Sequence, residues 1–114
     1  MTKEQYIKYW VDSAQYDWSG VEETFNAKRY MHCLFWAHLT LEKLAKAHWV
    51  RTHEENIPPK VHNIVWLLEE SQVEITSEDK VFLEIFYRFQ LSTRYPDYLR
   101  KIETICTEKL TMER

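Results

Sequence analysis

The sequence predicts an all-α protein, an up-and-down bundle of four to five helices that forms a single domain over residues 1–114. Two observations predict this fold class. The chain contains one glycine and three prolines, too few for the tight turns of a sheet protein or for a glycine-rich phosphate loop. Hydrophobic residues make up 45% of the chain and recur at alternating spacings of three and four residues. This spacing is typical of helices that pack in a bundle.

The first predicted helix begins after Thr2, where the Thr2 hydroxyl and Gln5 match the pattern of a capping box. The helix continues through Gly20 to a turn at residues 26–29. A glycine inside a helix costs about 1 kcal/mol relative to alanine, so Gly20 indicates either a weak point or the close approach of a neighbour. The apolar seam of this helix comprises Ile7, Val11, Ala14, Trp18, Val21 and Phe25.

The second predicted helix follows this turn and ends in the polar stretch 52–56. Pro58 and Pro59 prevent a new helix before about His62. The apolar seam of the second helix comprises Tyr30, Leu34, Ala37, Leu41, Leu44 and His48. Because other apolar residues lie off this seam, the helix is expected to be central or to be shared between the core and a second interface. Two long helices joined by a short turn should pack antiparallel.

Three shorter helices are predicted after the prolines, starting at about His62, at residues 76–79 and at Pro96. The second of them begins with hydroxyl and carboxylate side chains, which suit a helix N-terminus. Pro96 suits the first position of the last helix. The three apolar faces comprise Ile64, Val65, Leu67 and Leu68, then Phe82, Ile85, Phe86 and Phe89, then Tyr98, Ile102, Ile105, Cys106 and Leu110.

Charge and cysteine content limit the partners and the compartment. The net charge of −3 provides no global attraction to nucleic acid or to an anionic membrane, so such binding would need a local basic patch. No apolar run is long enough for a membrane span or a secretory leader. Cys33 and Cys106 lie in no CxxC motif and are expected to be reduced and buried. We therefore expect a cytoplasmic protein with no membrane contact.

The sequence contains no pattern of residues that points to catalysis, and no cofactor or metal is expected. The spacings of zinc sites and of di-iron bundles are missing, and no serine lies in a nucleophile elbow. His38 and Glu42 are four residues apart and share one helix face. With His62 they are candidates for a polar cleft or an interface, or else for a satisfied polar pair inside the bundle. His62 is predicted to cap, to pack or to contact a ligand.

The most unusual stretch of the sequence is 89–98, which joins a guanidinium, two phenols and a carboxylate at a predicted helix N-terminus. Backbone amides there can bind an anion, arginine binds phosphate bidentately and aromatic rings can stack on a base. The alternative is a structural corner in which Pro96 starts the helix and Asp97 complements its dipole. The candidate nucleotide- or phosphate-binding residues are Arg94, Tyr95, Asp97, Tyr98 and Arg100.

Three blocks of sequence together resemble the HEPN domain, the higher-eukaryote and prokaryote nucleotide-binding family. They are residues 35–47, which begin Phe-Trp-Ala-His, the triplet His-Asn-Ile at 62–64, and the triplet Arg-Tyr-Pro at 94–96. The resemblance covers nearly the whole chain. It implies a bundle of four to five helices that is commonly a homodimer with its functional residues in a cleft. It also implies a nucleotide or RNA ligand and a minimal nucleotidyltransferase as partner.

The resemblance also bears on ribonuclease activity. Family members that are toxin ribonucleases carry an arginine that is followed, after four to six residues, by a histidine. Arg94 matches the arginine, but Leu99, Arg100 and Lys101 occupy the positions of the histidine, and none of them transfers protons near neutral pH. The sequence therefore favours a binding domain over a metal-independent ribonuclease.

The competing class is a protein–protein interaction module without a small-molecule ligand. Tryptophan is enriched at interfaces as well as in cores. The candidates for such a surface are Trp10, Trp36, Trp49 and Trp66.

Overall fold

A computed structural model describes residues 1–92 of the chain and the side-chain environments of residues 1–88. Four helices follow one another in this part: α1 (Lys3–Asn26), α2 (Tyr30–Thr52), α3 (Ile64–Glu70) and α4 (Ser77–Ser92). No strand occurs within residues 1–92, so the predicted all-helical class is confirmed. The predicted fifth helix and the five candidate residues between Arg94 and Arg100 lie outside the described residues.

Helix α1 begins as the capping box predicts. The Thr2 hydroxyl accepts a hydrogen bond from the backbone N–H of Gln5 at 3.2 Å, and Gln5 Oε1 accepts one from the Thr2 N–H at 2.8 Å. After α1 the chain reverses at Lys28, whose φ of 61° lies in the left-handed region typical of tight turns. Helix α2 then runs antiparallel to α1, so that Lys3 Nζ reaches the carbonyl of Val50 at 2.8 Å.

Gly20 allows α1 and α2 to approach closely. A Cβ atom at this position would lie 3.3 Å from Cγ of Trp36, closer than most carbon–carbon contacts in folded proteins. Of the two explanations that the sequence left open, the close approach of a neighbour is therefore the one found.

Helix α2 is the centre of the bundle and packs against each of the other three helices. Helix α4 packs on the first half of α2, where Phe86 joins the cluster of Cys33, Leu34 and Ala37. One core cluster consists of Val21, Cys33, Leu34, Ala37 and Phe86. The other consists of Ala45, Trp49, Val50, Ile64 and Leu67. The apolar residues on several faces of α2 are thus explained largely within one chain.

The two shorter helices are capped by side chains that accept from first-turn amides. Asn63 Oδ1 accepts from the N–H of Trp66 at 3.1 Å, so α3 begins at Ile64, two residues later than predicted. The Thr76 hydroxyl accepts from the N–H of Asp79 at 3.1 Å, and α4 begins at the predicted position.

The predicted core face of α4 is wrong in two of the three residues whose side chains are described. Phe86 is buried, but Phe82 is 49% exposed and Ile85 is 42% exposed. Helix α4 contacts α2 and α3 along a narrow edge, so only one of these side chains is covered. Leu44 on α2 and Trp18 on α1 are likewise more exposed than their seam positions predicted.

None of the four helices combines the length and the apolar character that a membrane crossing demands.

Candidate functional site

A buried carboxylate on the central helix collects three nitrogen-bearing side chains. Glu42 is 5% exposed, and its Oε1 lies 3.3 Å from Nε2 of His38 and 3.0 Å from Nδ1 of His62. Its Oε2 lies 3.3 Å from Nζ of Lys46. We refer to His38, Glu42, Lys46 and His62 as the Glu42 cluster. The structure thus brings together the three residues that the sequence suggested for a polar cleft and adds a lysine to them.

Helical spacing and a loop together build this cluster. His38, Glu42 and Lys46 are four residues apart in sequence, so α2 places them one above the other on one face. His62 comes from the segment between α2 and α3, directly before Asn63, which caps α3. The cap holds the end of this segment against α2, and His62 therefore reaches Glu42 from outside the helix.

The surroundings of Glu42 keep it ionised. Burial alone would raise the pKa of the carboxyl group, because a low-dielectric environment disfavours charge. The hydrogen bond from His38, the charge of Lys46, and the hydrogen bond and charge of His62 outweigh burial and lower the pKa of Glu42 to about 2. At neutral pH the cluster therefore contains a carboxylate that orients both imidazole rings.

His38 is the buried member of the pair of histidines. Its ring is stacked on Phe86 of α4, with centroids 5.9 Å apart and planes 5° from parallel, and on Tyr87 at 6.5 Å. Since Nε2 faces Glu42, Nδ1 is left inside the bundle, without a hydrogen-bond partner among the residues described. The carboxylate thus favours the tautomer that carries its proton on Nε2 and leaves a lone pair on Nδ1.

His62 is the exposed member, with 63% of its side chain accessible. Glu42 holds Nδ1, so in neutral His62 the proton lies on Nδ1 and the lone pair on Nε2. The Glu42 cluster therefore extends from the interior of the bundle to solvent. Such an arrangement can accept or donate a hydrogen bond at the surface from a ring whose orientation is fixed from below.

The sequence reasoning did not find two other features of this region. Lys46 lies over the ring of Trp10, with Nζ 5.4 Å from the centroid, which places a cation against an aromatic face. Lys43 Nζ lies 2.7 Å from Oδ2 of the buried Asp17 and links α2 to α1. The four-residue spacing from Glu42 to Lys46 was a signal for their ion pair, whereas no local pattern indicates the contact of Lys46 with Trp10 or the pair of Lys43 with Asp17.

The tryptophans proposed for an aromatic surface lie in different environments. Trp49 is 7% exposed, packs in the core and stacks on His53 with ring centroids 4.0 Å apart, so it belongs to no such surface. Trp10 and Trp36 are half-buried, and only Trp66 is substantially exposed. Trp49 is buried because it lies on the side of α2 that α3 covers.

Within residues 1–92, no three His, Cys, Asp or Glu side chains are arranged to hold a metal ion. In the Glu42 cluster, both carboxylate oxygens already bond to protein nitrogens, so that group offers a metal no open carboxylate.

These observations define a small helical domain with a buried ionised cluster on its central helix. The family profile described as HEPN domain matches residues 7–113, a span that includes α1 from Ile7 onward, the whole of α2, α3 and α4, and also Arg94. The chain therefore belongs to the HEPN domain family. Searches of curated proteins and of solved structures found no significant match.

Proposed function

We propose that this HEPN domain binds the phosphate of a nucleotide or of RNA through Arg94, together with Tyr95, Asp97, Tyr98 and Arg100. The observation that carries the proposal is the family match, which extends across this stretch of the chain. The chemistry of the stretch supports it, since a guanidinium binds phosphate bidentately and phenol rings stack on bases.

The Glu42 cluster supports the same proposal. In this proposal the cluster is the polar cleft beside the bound phosphate. Tyr87, which stacks on His38, lies five residues before Ser92, the last residue of α4. At 1.5 Å per residue this is about 8 Å of helix. Arg94 follows two residues later in the sequence. In this proposal His62 contributes a hydrogen bond to the ligand, and Glu42 keeps its ring oriented.

A titration with ATP, GTP and a short single-stranded RNA tests the proposal by isothermal calorimetry. The wild-type protein should bind at least one of these ligands, and Arg94→Ala should weaken binding by about 10- to 100-fold, as expected for a charge-assisted phosphate contact. Arg51→Ala is the matched control, because it removes the same charge at the far end of α2. The absence of binding by the wild type, or equal losses in the two variants, would contradict the proposal.

We further propose a cytoplasmic homodimer that acts with a minimal nucleotidyltransferase. This assembly rests on the family resemblance alone. Sedimentation equilibrium and co-purification with a nucleotidyltransferase encoded nearby test the two parts separately. A monomer at micromolar concentration would contradict the homodimer.

Ribonuclease activity is not part of this proposal, because Leu99, Arg100 and Lys101 stand where the family's catalytic histidine would be. The RNA titration checks this point directly. If the wild type, but not Arg94→Ala, degrades RNA in the presence of a metal chelator, the domain is an enzyme and the binding proposal is incomplete.

A further inference from the structure

An open apolar groove lies between α2, α4 and the segment that joins α3 to α4. Its volume is about 550 Å³, within the range of pockets that hold ligands. The floor is formed by Leu34, Ala37 and Leu41 of α2 and by Phe82, Leu83 and Phe86 of α4. The exposed Val81 and Ile85 extend the apolar surface of α4 beyond the groove.

The rim of the groove is acidic. Glu74 and Asp79 line it, both are exposed, and neither forms an ion pair with another residue of the described part. Six of the chain's 18 acidic side chains lie in residues 69–84, together with one basic side chain, Lys80, which pairs with Glu69 at 3.2 Å. The segment that carries the rim is therefore more negative than the net charge of −3 for the whole chain suggests.

These charges exclude several occupants on physical grounds. Nucleic acid would be repelled by the carboxylates. A second copy that presented the same face would bring two acidic rims together. A small polar ligand would need buried polar groups to orient it, whereas the polar residues of the lining (Glu74, Thr76 and Asp79) are all exposed.

We propose that this groove binds a basic amphipathic helix of a partner protein. Apolar side chains at positions i, i+3 or i+4, and i+7 of that helix pack between α2 and α4, as in other helix-in-groove complexes. Lysine or arginine side chains at its edges pair with Glu74 and Asp79. The interaction buries Phe82, which is 49% exposed in the bundle alone. The described lining of the groove shares no residue with the proposed phosphate site, and the groove has the opposite preference for charge.

Fluorescence anisotropy with a labelled peptide tests the proposal on the full chain. The probe is a helical peptide of about 18 residues, five turns, with leucine at the apolar positions and lysine elsewhere. A second peptide with glutamate in place of lysine is the charge control. The lysine peptide should bind saturably and more weakly at high salt, whereas the glutamate peptide should not bind.

Two variants locate the binding. The double variant Glu74→Gln/Asp79→Asn should raise the Kd of the lysine peptide about tenfold, and Phe82→Ala should raise it by a similar factor. The matched control Glu22→Gln/Glu23→Gln removes two exposed carboxylates from α1 and should leave the Kd unchanged. Circular dichroism verifies that each variant is folded. No saturable binding, or equal losses in the two double variants, would overturn the proposal.

Discussion

Glu42 Oε1 and His62 Nδ1 are joined by a hydrogen bond of 3.0 Å, although 20 residues separate them in the chain. The bond connects the central helix to the segment that carries Pro58 and Pro59. It also converts a buried carboxylate into a support for an exposed imidazole. The energetic value of this bond is measurable without any knowledge of the ligand.

Replacing His62 by alanine should lower the free energy of unfolding by about 1 kcal/mol, since the bond is charge-assisted but one partner is largely exposed. Urea denaturation measures the change. In a double-mutant cycle with Glu42→Ala, the two losses should not add, because each variant removes the same bond. His32→Ala, which replaces an exposed histidine on α2, is the control. Additive losses would show that the bond contributes nothing.

Glu42→Gln should destabilise the protein by about 3 kcal/mol at pH 7, because the buried Lys46 loses its counter-charge and the hydrogen bond from His38 loses its charged acceptor. The folded-state pKa of about 2 lies below the ordinary value of 4.5, so the stabilisation is complete above pH 4.5 and is lost as the pH falls towards 2. The difference between wild type and variant, measured by denaturation at several pH values, should shrink across this window. A difference of full size at pH 2.5 would contradict the lowered pKa.

Asp17→Asn should cost about 2–4 kcal/mol, because it removes the charged partner of Lys43 at a site where the carboxylate is 5% exposed. Asp12→Asn is the matched control. Asp12 pairs with Lys8 at 2.6 Å, but both side chains are largely exposed, so its loss should cost less than about 0.5 kcal/mol. Thermal denaturation compares the two variants, and equal effects would show that burial does not set the strength of these pairs.

Gly20→Leu should destabilise the protein by about 1–3 kcal/mol, because the new side chain meets the Trp36 ring where a Cβ alone would lie at 3.3 Å. The cost should fall when Trp36→Ala is introduced first, since the obstructing ring is then absent. Ser19→Leu places the same side chain at an exposed neighbouring position and should change stability by less than about 0.5 kcal/mol. An undiminished cost in the Trp36→Ala background would show that the Trp36 ring is not the obstruction, since leucine has a better helix propensity than glycine.

The local signals of the sequence predicted helix ends well. The Thr2 capping box, the turn before Tyr30 and the Thr76 cap all lie where the sequence indicated them, because capping depends on residues within one turn. Burial was predicted less well. Phe82 and Ile85 match the period of a core face, but the period of a helix does not specify how much of that face a neighbouring helix covers.

The candidate site likewise combines contacts that the sequence predicted with contacts that it did not. His38 and Glu42 could be paired from their spacing of four residues, since a helix imposes that contact. The bond from His62 to Glu42, the ion pair of Lys43 with Asp17 and the acidic groove beside α4 all join residues from different elements. No short-range pattern encodes such contacts.

The all-helical class, the four described helices and the family of this protein follow from its sequence, because helix signals and family motifs are carried by short segments of chain. The tertiary structure alone decided that Gly20 faces Trp36, that Glu42 is buried between two imidazoles, and that one side of α4 remains uncovered. The physical reason is that burial and electrostatic environment depend on which elements pack together, and that packing is a property of the whole bundle.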